Sequence, residues 1–287
     1  MLYATTMNKY LDRFVVWCLY GVLVTPLIFQ QALMHPLVIL KTVFFQAFIE
    51  IAFIGYLPLA VVYKEYRPRV TPLFIAVCVL FSAIVISGVF GVNGARSIWS
   101  VPERMTGIIL MAHLVCYFAM LSGMRKSFSW HRYLTASIVV SFFVALLPIL
   151  QLTFPGIFFD RLSGRLSGTM GNPIFLASYL SFHVFFAAWF AHKLFMEKRM
   201  WLPYALIACF NVTVIALTET RGALVAFAVA CIIFSAYSAL QKNAGKTRYI
   251  ILAATVAIAL FSGVFWLTRM APVWHDLPVL HRSTKEG

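Results

Sequence analysis

Thr71-Pro-Leu-Phe-Ile-Ala-Val-Cys-Val-Leu-Phe-Ser-Ala-Ile-Val-Ile-Ser-Gly-Val-Phe90 runs for twenty residues without a charge. A helix of that length rises about 30 Å, the thickness of a bilayer's hydrocarbon core. Eight further apolar stretches flank it, at 14–33, 37–63, 105–122, 133–153, 173–191, 201–217, 222–240 and 249–267. The pattern predicts an all-α, polytopic transmembrane helix bundle of about nine spans. Residues 1–267 form the transmembrane domain, and 268–287 begin an outer loop. Composition excludes a water-soluble fold: 62% of residues are hydrophobic and 11% charged, against about 45–50% and 25% in soluble domains. Lys9 and Arg13 precede the first apolar run and no small-residue cleavage site follows it, so this segment is expected to stay as a signal anchor.

The formal charge of +14 reads as topology, with no nucleic-acid partner. Alternate loops hold Lys9 and Arg13; Lys64, Arg67 and Arg69; Arg125, Lys126 and Arg132; Lys193, Lys198 and Arg199; Lys242, Lys246 and Arg248. Loops rich in Lys and Arg stay in the cytoplasm, which places the N-terminus inside and the chain in a bacterial inner membrane. The opposite loops carry Arg96, Arg104, Arg161, Arg165 and Arg221, five arginines and no lysine. A guanidinium stays charged and grips phosphate or carboxylate with two parallel hydrogen bonds. Two other uses stay open: pairing with the neighbouring Glu103, Asp160 and Glu219, or contact with lipid headgroups.

The outer loops are short and rich in small residues. One runs from Gly91 through Asn93, Arg96, Trp99, Glu103 and Arg104 to Gly107. The next runs from Pro155 to Pro173 and closes on Asn172-Pro173, a helix start. A third is only Thr218-Glu219-Thr220-Arg221-Gly222. Arg221 opens a helix there, where free N–H groups and the dipole also favour an anion.

Inside the spans lie Glu50, His113 and His183, costly groups in lipid that ask for a partner or a function. A buried Glu50–His pair that fixes helix packing is the plainer expectation. Pro26, Pro58 and Pro148 fall within spans and are expected to mark kinks. The five cysteines show no metal or disulfide spacing and read as packing residues.

Three stretches carry a family resemblance: Asn93-Gly-Ala-Arg-Ser-Ile-Trp99 with Pro102-Glu-Arg-Met-Thr-Gly107 and His113; Arg165-Leu-Ser-Gly-Thr-Met-Gly-Asn-Pro-Ile-Phe-Leu-Ala-Ser-Tyr179; and Thr218-Glu-Thr-Arg-Gly-Ala223. Over roughly residues 10–270 the chain resembles the O-antigen ligase-related family, which includes O-antigen polymerases and protein O-oligosaccharyltransferases. The resemblance implies a GT-C-like membrane glycosyltransferase working without a metal or other cofactor. Its donor is a glycan on undecaprenyl pyrophosphate. Its acceptor is a hydroxyl of lipid A core, a growing glycan or a protein, and membrane lipids surround it. Arg221, with Arg96, Arg104 and Arg165, would hold the pyrophosphate; Glu103, Glu219 and Asn172 lie in the same motifs. The family's catalytic His sits in a long late outer loop. His275 and His281 lie where that loop begins, and no motif ties either to it. The chain therefore reads as C-terminally truncated, with its base unassigned and the fragment alone inactive. Two other readings stand beside this one. A transporter or flippase of lipid-linked glycans also uses an arginine-lined cavity, although the halves show no internal symmetry. A purely structural subunit would not need arginine-rich outer loops.

Overall fold

The computed structural model describes residues 2–30, 32–154 and 165–240, and the side chains of all of these except 2–8, 126, 152, 221 and 234–240. The chain is all-α, and no strand occurs among the described residues. The helices are α1 (Leu2–Val22), α2 (Ile39–Val62), α3 (Pro72–Val89), α4 (Gly94–Trp99), α5 (Ile108–Gly123), α6 (Trp130–Thr153), α7 (Pro173–Met196), α8 (Leu202–Leu217) and α9 (Arg221–Leu240).

Five segments are long and apolar enough to cross a bilayer: Lys9–Leu27, Ile39–Val62, Pro72–Val89, Trp130–Gln151 and Pro173–Met196. They make the chain a membrane protein. Ile108–Gly123, Leu202–Leu217 and Gly222–Ile233 are apolar but shorter. Sixteen residues of α5 rise about 24 Å, short of a ~30 Å core. The stretch 249–267 and the segment 268–287 lie outside the described residues.

Local chemistry sets the helix ends. Thr71 caps α3 by accepting from Phe74 N at 3.2 Å, with Pro72 in the first turn. Asn172 caps α7 through Ile174 N at 2.8 Å, ahead of Pro173. Such side chains satisfy N–H groups that have no partner inside the helix. Arg67 closes α2 at its other end, donating from Nε to Ala60 O (3.0 Å) and from Nη2 to Val61 O (2.9 Å). The first span departs from expectation. Its helix begins at Leu2 and gives way to a 3-10 turn at Thr25–Leu27, well short of residue 33. Pro26 sits in that turn and ends the span rather than kinking it, because proline has no N–H to continue the ladder. Pro58 and Pro148 do lie within continuous helices. The short α4 was not expected inside the 91–107 loop. Asn93 starts it, accepting from Arg96 N at 3.0 Å.

The chain forms two compact units, Met1–Val144 and Ala145–Gly287. In the first, Gly55 lies against Phe14 and Val15, and Gly21 against Phe48, so α1 and α2 run antiparallel. Lipid leaves helices no hydrophobic driving force, so they associate where small residues admit such close packing. His113 meets Glu50, and Gly123 lies against Tyr56, so α5 runs parallel to α2. Gly88 faces Ile108, and Phe74 stacks on Phe118, so α3 and α5 are antiparallel. These directions gather Lys9, Arg13, Lys64, Arg67, Arg69, Arg125 and Arg132 at one end of the unit, and Arg96 and Arg104 at the other. Val15, Leu19, Ile49, Ala52 and Met120 fill its core.

The second unit is built on α7 against α8. Leu176, Leu180, His183, Ala187, Phe190 and Leu194 recur on one buried face of α7, the spacing of a helical stripe. Phe190 stacks on Tyr204 of α8 with ring centroids 5.5 Å apart.

Candidate functional site

Two loops of the second unit, far apart in sequence, meet at one hydrogen bond. Arg165 Nη1 donates to the backbone carbonyl of Glu219 at 3.3 Å. The turn between α8 and α9 makes this contact available. Glu219 adopts a positive φ of 51°, a conformation side chains resist and that concentrates at functional sites. On the other side, Gly168 (φ 51°) and Gly171 (φ 71°) bend the chain between Arg165 and the α7 cap. Gly168 also lies against the Pro148 ring, where a Cβ would come within 2.9 Å of Cδ.

Arg165 is half-buried. Its Nε is enclosed and has no hydrogen-bond partner among the described residues. A guanidinium has five N–H donors, and the bond to Glu219 fixes one of them and with it the plane. The carboxylate of Glu219 does not pair with Arg165; the contact uses its carbonyl. Ser167, Thr169, Thr218 and Thr220 on these loops are all buried.

Arg221 is the first residue of α9, and its side chain lies outside the described atoms. A Cβ on the adjacent Gly222 would meet nothing within 4 Å among the described residues. Asn172 is occupied in capping α7. Arg161 lies outside the described residues.

Arg96, Arg104 and Glu103 belong to the first unit. All three are exposed. Neither arginine forms an ion pair with Glu103 or any other described residue. Beside them Ser87, Gly88, Ser97 and Thr106 line a shallow cleft between α3, α4 and the start of α5.

Among the polar groups in the spans, Glu50 meets His113, with Nε2 and Oε1 3.0 Å apart. The expected partnership is present, but it is not buried: the Glu50 side chain is 65% exposed and that of His113 15%. Glu50 lies outside the buried stripe of α2, which runs through Phe45, Ile49, Ala52, Tyr56 and Leu59. His183 is buried in the second unit. Its Nδ1 lies 2.8 Å from Tyr179 O, and its ring packs on Tyr179.

Two polar clusters escaped the sequence reading. The Tyr117 and Tyr133 hydroxyls bond to each other across α5 and α6. Near the basic end of the first unit, the Tyr66 hydroxyl is pushed above the ordinary tyrosine range. Burial is the main cause, with the Asp12 and Glu65 charges adding to it and a hydrogen bond from Ser127 opposing it. Asp12 Oδ1 is enclosed without a hydrogen-bond partner among the described residues. The signal for this cluster was Asp12 itself, an acid between Lys9 and Arg13 just ahead of the first apolar run. Among the described residues no three His, Cys, Asp or Glu side chains gather as metal ligands.

Set against known proteins, the chain matches no family model, no curated protein and no solved structure.

Proposed function

We propose that this chain is a membrane glycosyltransferase of O-antigen ligase type. It moves a glycan from undecaprenyl pyrophosphate to an acceptor hydroxyl on the outer side of a bacterial inner membrane. The reading carries with it nine spans, an N-terminus in the cytoplasm and a GT-C-like arrangement. The observation that supports it is the Arg165–Glu219 contact. It joins Arg165 of the second motif stretch to Glu219 of the third, 54 positions along the chain. The contact brings one arginine of the second stretch against the turn that leads into α9.

The chemistry fits that arrangement. A bond forms between the acceptor oxygen and the sugar's anomeric carbon while the carbon–oxygen bond to pyrophosphate breaks. The leaving pyrophosphate gains negative charge. Arg165, held by Glu219, stabilises that charge from a fixed position, and Arg221, the first residue of α9, adds a second guanidinium. The acceptor's proton passes to a base that no described residue is assigned to supply. Lipid A core, a growing glycan and a protein hydroxyl all satisfy this scheme as acceptors.

Arg221→Lys tests the reading, because lysine keeps the charge and loses the bidentate fork. In vesicles, binding of undecaprenyl pyrophosphate is expected to weaken about 10- to 150-fold, the ~1.5–3 kcal/mol of one charge-assisted contact. Equal binding by wild type and Arg221→Ala would remove the site. Movement of intact lipid-linked glycan across the bilayer, with no glycan joined to an acceptor, would replace the enzyme with a flippase.

A further inference from the structure

Gly168 sits where the fold leaves no room for a side chain. It belongs to the turn that joins Arg165 to the α7 cap, and it lies against the ring of Pro148 in α6. A Cβ there would stand 2.9 Å from Pro148 Cδ and 3.3 Å from Cγ, inside the ~3.5–4.0 Å at which carbon atoms rest against each other. The end of a flexible side chain would swing out of such a contact. A proline ring does not, because it closes on its own backbone nitrogen, and Pro148 is buried within a continuous helix. Gly168 also has a φ of 51°, in the left-handed region that a Cβ disfavours. Crowding and backbone conformation thus both require glycine at this one position.

The turn has little slack on either side. Toward α7, Met170 N donates to Ser167 O at 3.1 Å and Gly171 N to Gly168 O at 3.5 Å. Asn172 then caps the helix and Pro173 opens it, with Pro173 and Leu176 both buried. Toward Arg165, Leu166 and Ser167 are buried as well. The bond from Arg165 Nη1 to Glu219 O, at 3.3 Å, is already longer than the roughly 2.7–3.2 Å usual for N–H···O. Moving a Cβ at 168 from 2.9 Å to an ordinary ~3.5 Å takes about 0.6 Å. The anchored α7 side resists that shift, so it passes to Arg165, whose bond has no such margin.

We propose that Gly168 is a positioning residue for Arg165: Pro148 is the wall on which the turn is seated, and the missing side chain at 168 is what lets the guanidinium reach Glu219. Pro148 thereby takes part in the anion site, although it lies in α6 and in none of the three motif stretches. All of these residues belong to the second unit. The proposal rests on the glycosyl-transfer reading only in taking Arg165 as a group that grips pyrophosphate.

Binding of undecaprenyl pyrophosphate to the 287-residue chain in lipid vesicles tests it. Asparagine tolerates the left-handed conformation better than most residues with a Cβ, so Gly168→Asn adds the crowded atom with little backbone strain. It is expected to weaken binding about tenfold or more, the lower end of the loss expected from Arg165→Ala. Two further measurements separate positioning from general damage to the fold. In an Arg165→Ala background, Gly168→Asn should cost nothing more, because no guanidinium is left to misplace. Combined with Pro148→Ala, which removes Cγ and Cδ, Gly168→Asn should regain most of the lost affinity. Wild-type binding by Gly168→Asn, a further loss in the Arg165→Ala background, or no recovery with Pro148→Ala overturns the proposal. The Pro148→Ala pair also decides the case where Gly168→Asn alone does not fold: a pair that folds and binds as weakly as Arg165→Ala overturns the proposal. Wild-type binding by Arg165→Ala removes the reading of the site itself, whereas a loss there with none in Gly168→Asn removes only the positioning role.

Discussion

Arg96 and Arg104 stand exposed on the 91–107 segment and have no ion-pair partner among the described residues. Arg165 is half-buried, with Nη1 on the Glu219 carbonyl and Nε enclosed. The residue type is the same in both regions, and both lie at helix-joining loops. The difference is in the freedom already lost. A free arginine gives up about 2 kcal/mol of rotamer entropy when it grips a ligand. One held by the fold has given up much of it beforehand, so more of its contact energy reaches the anion. The turn with a positive φ at Glu219 and the two left-handed glycines hold Arg165 in place, and nothing comparable holds Arg96 or Arg104.

The comparison supposes that both regions face the same side of the membrane, and this carries the largest expected effect, an all-or-none one. In a background with the five native cysteines replaced, an impermeant thiol reagent added outside is expected to label Ser97→Cys and Gly222→Cys and to leave Ser127→Cys untouched. Gly222 is the useful position in its turn, because the neighbouring Thr220 is buried. Labelling at 127 from outside would break the topology and the comparison with it.

The next effect ranks the two regions directly. Arg165→Ala should weaken binding of undecaprenyl pyrophosphate about 10- to 150-fold, by loss of a charge-assisted contact. Arg96→Ala and Arg104→Ala should each cost less than about fivefold, the ~1 kcal/mol typical of exposed charges. If all three lose affinity equally, being held contributes nothing and the two regions are one kind of site.

The smallest effect is at the opposite end of the first unit. Burial raises the Tyr66 hydroxyl in the folded state above the ordinary tyrosine value of about 10. Between the unfolded and folded values the folded state binds more protons, so stability falls as pH rises there and is unaffected below about pH 10. Thermal unfolding in detergent should show a drop above pH 10 in wild type that Tyr66→Phe lacks. The same drop in both would place the titrating group elsewhere.

Much of the architecture was legible because its causes are local. Twenty uncharged residues at 71–90 require a lipid-length helix whatever else the chain does. Thr71-Pro72 and Asn172-Pro173 announce helix starts through a side-chain oxygen and a missing N–H a residue or two away. Pro26 was misjudged within the same local logic: a proline can kink a span or end it, and the outcome depends on whether neighbouring groups take up the freed carbonyl. The α4 helix was signalled by Asn93 and overlooked among glycines that suggest a loop.

The sequence by itself determined that lipid is this protein's solvent, where α3 and α7 begin, and which loops hold arginine without lysine. Composition, hydropathy and capping act over a few residues, and the linear chain records them. Only the tertiary structure decided that Arg165 rests on Glu219 and that Glu50 meets His113. Those outcomes join residues more than fifty positions apart, and a helical period shows which residues share a face but not which helix that face will meet.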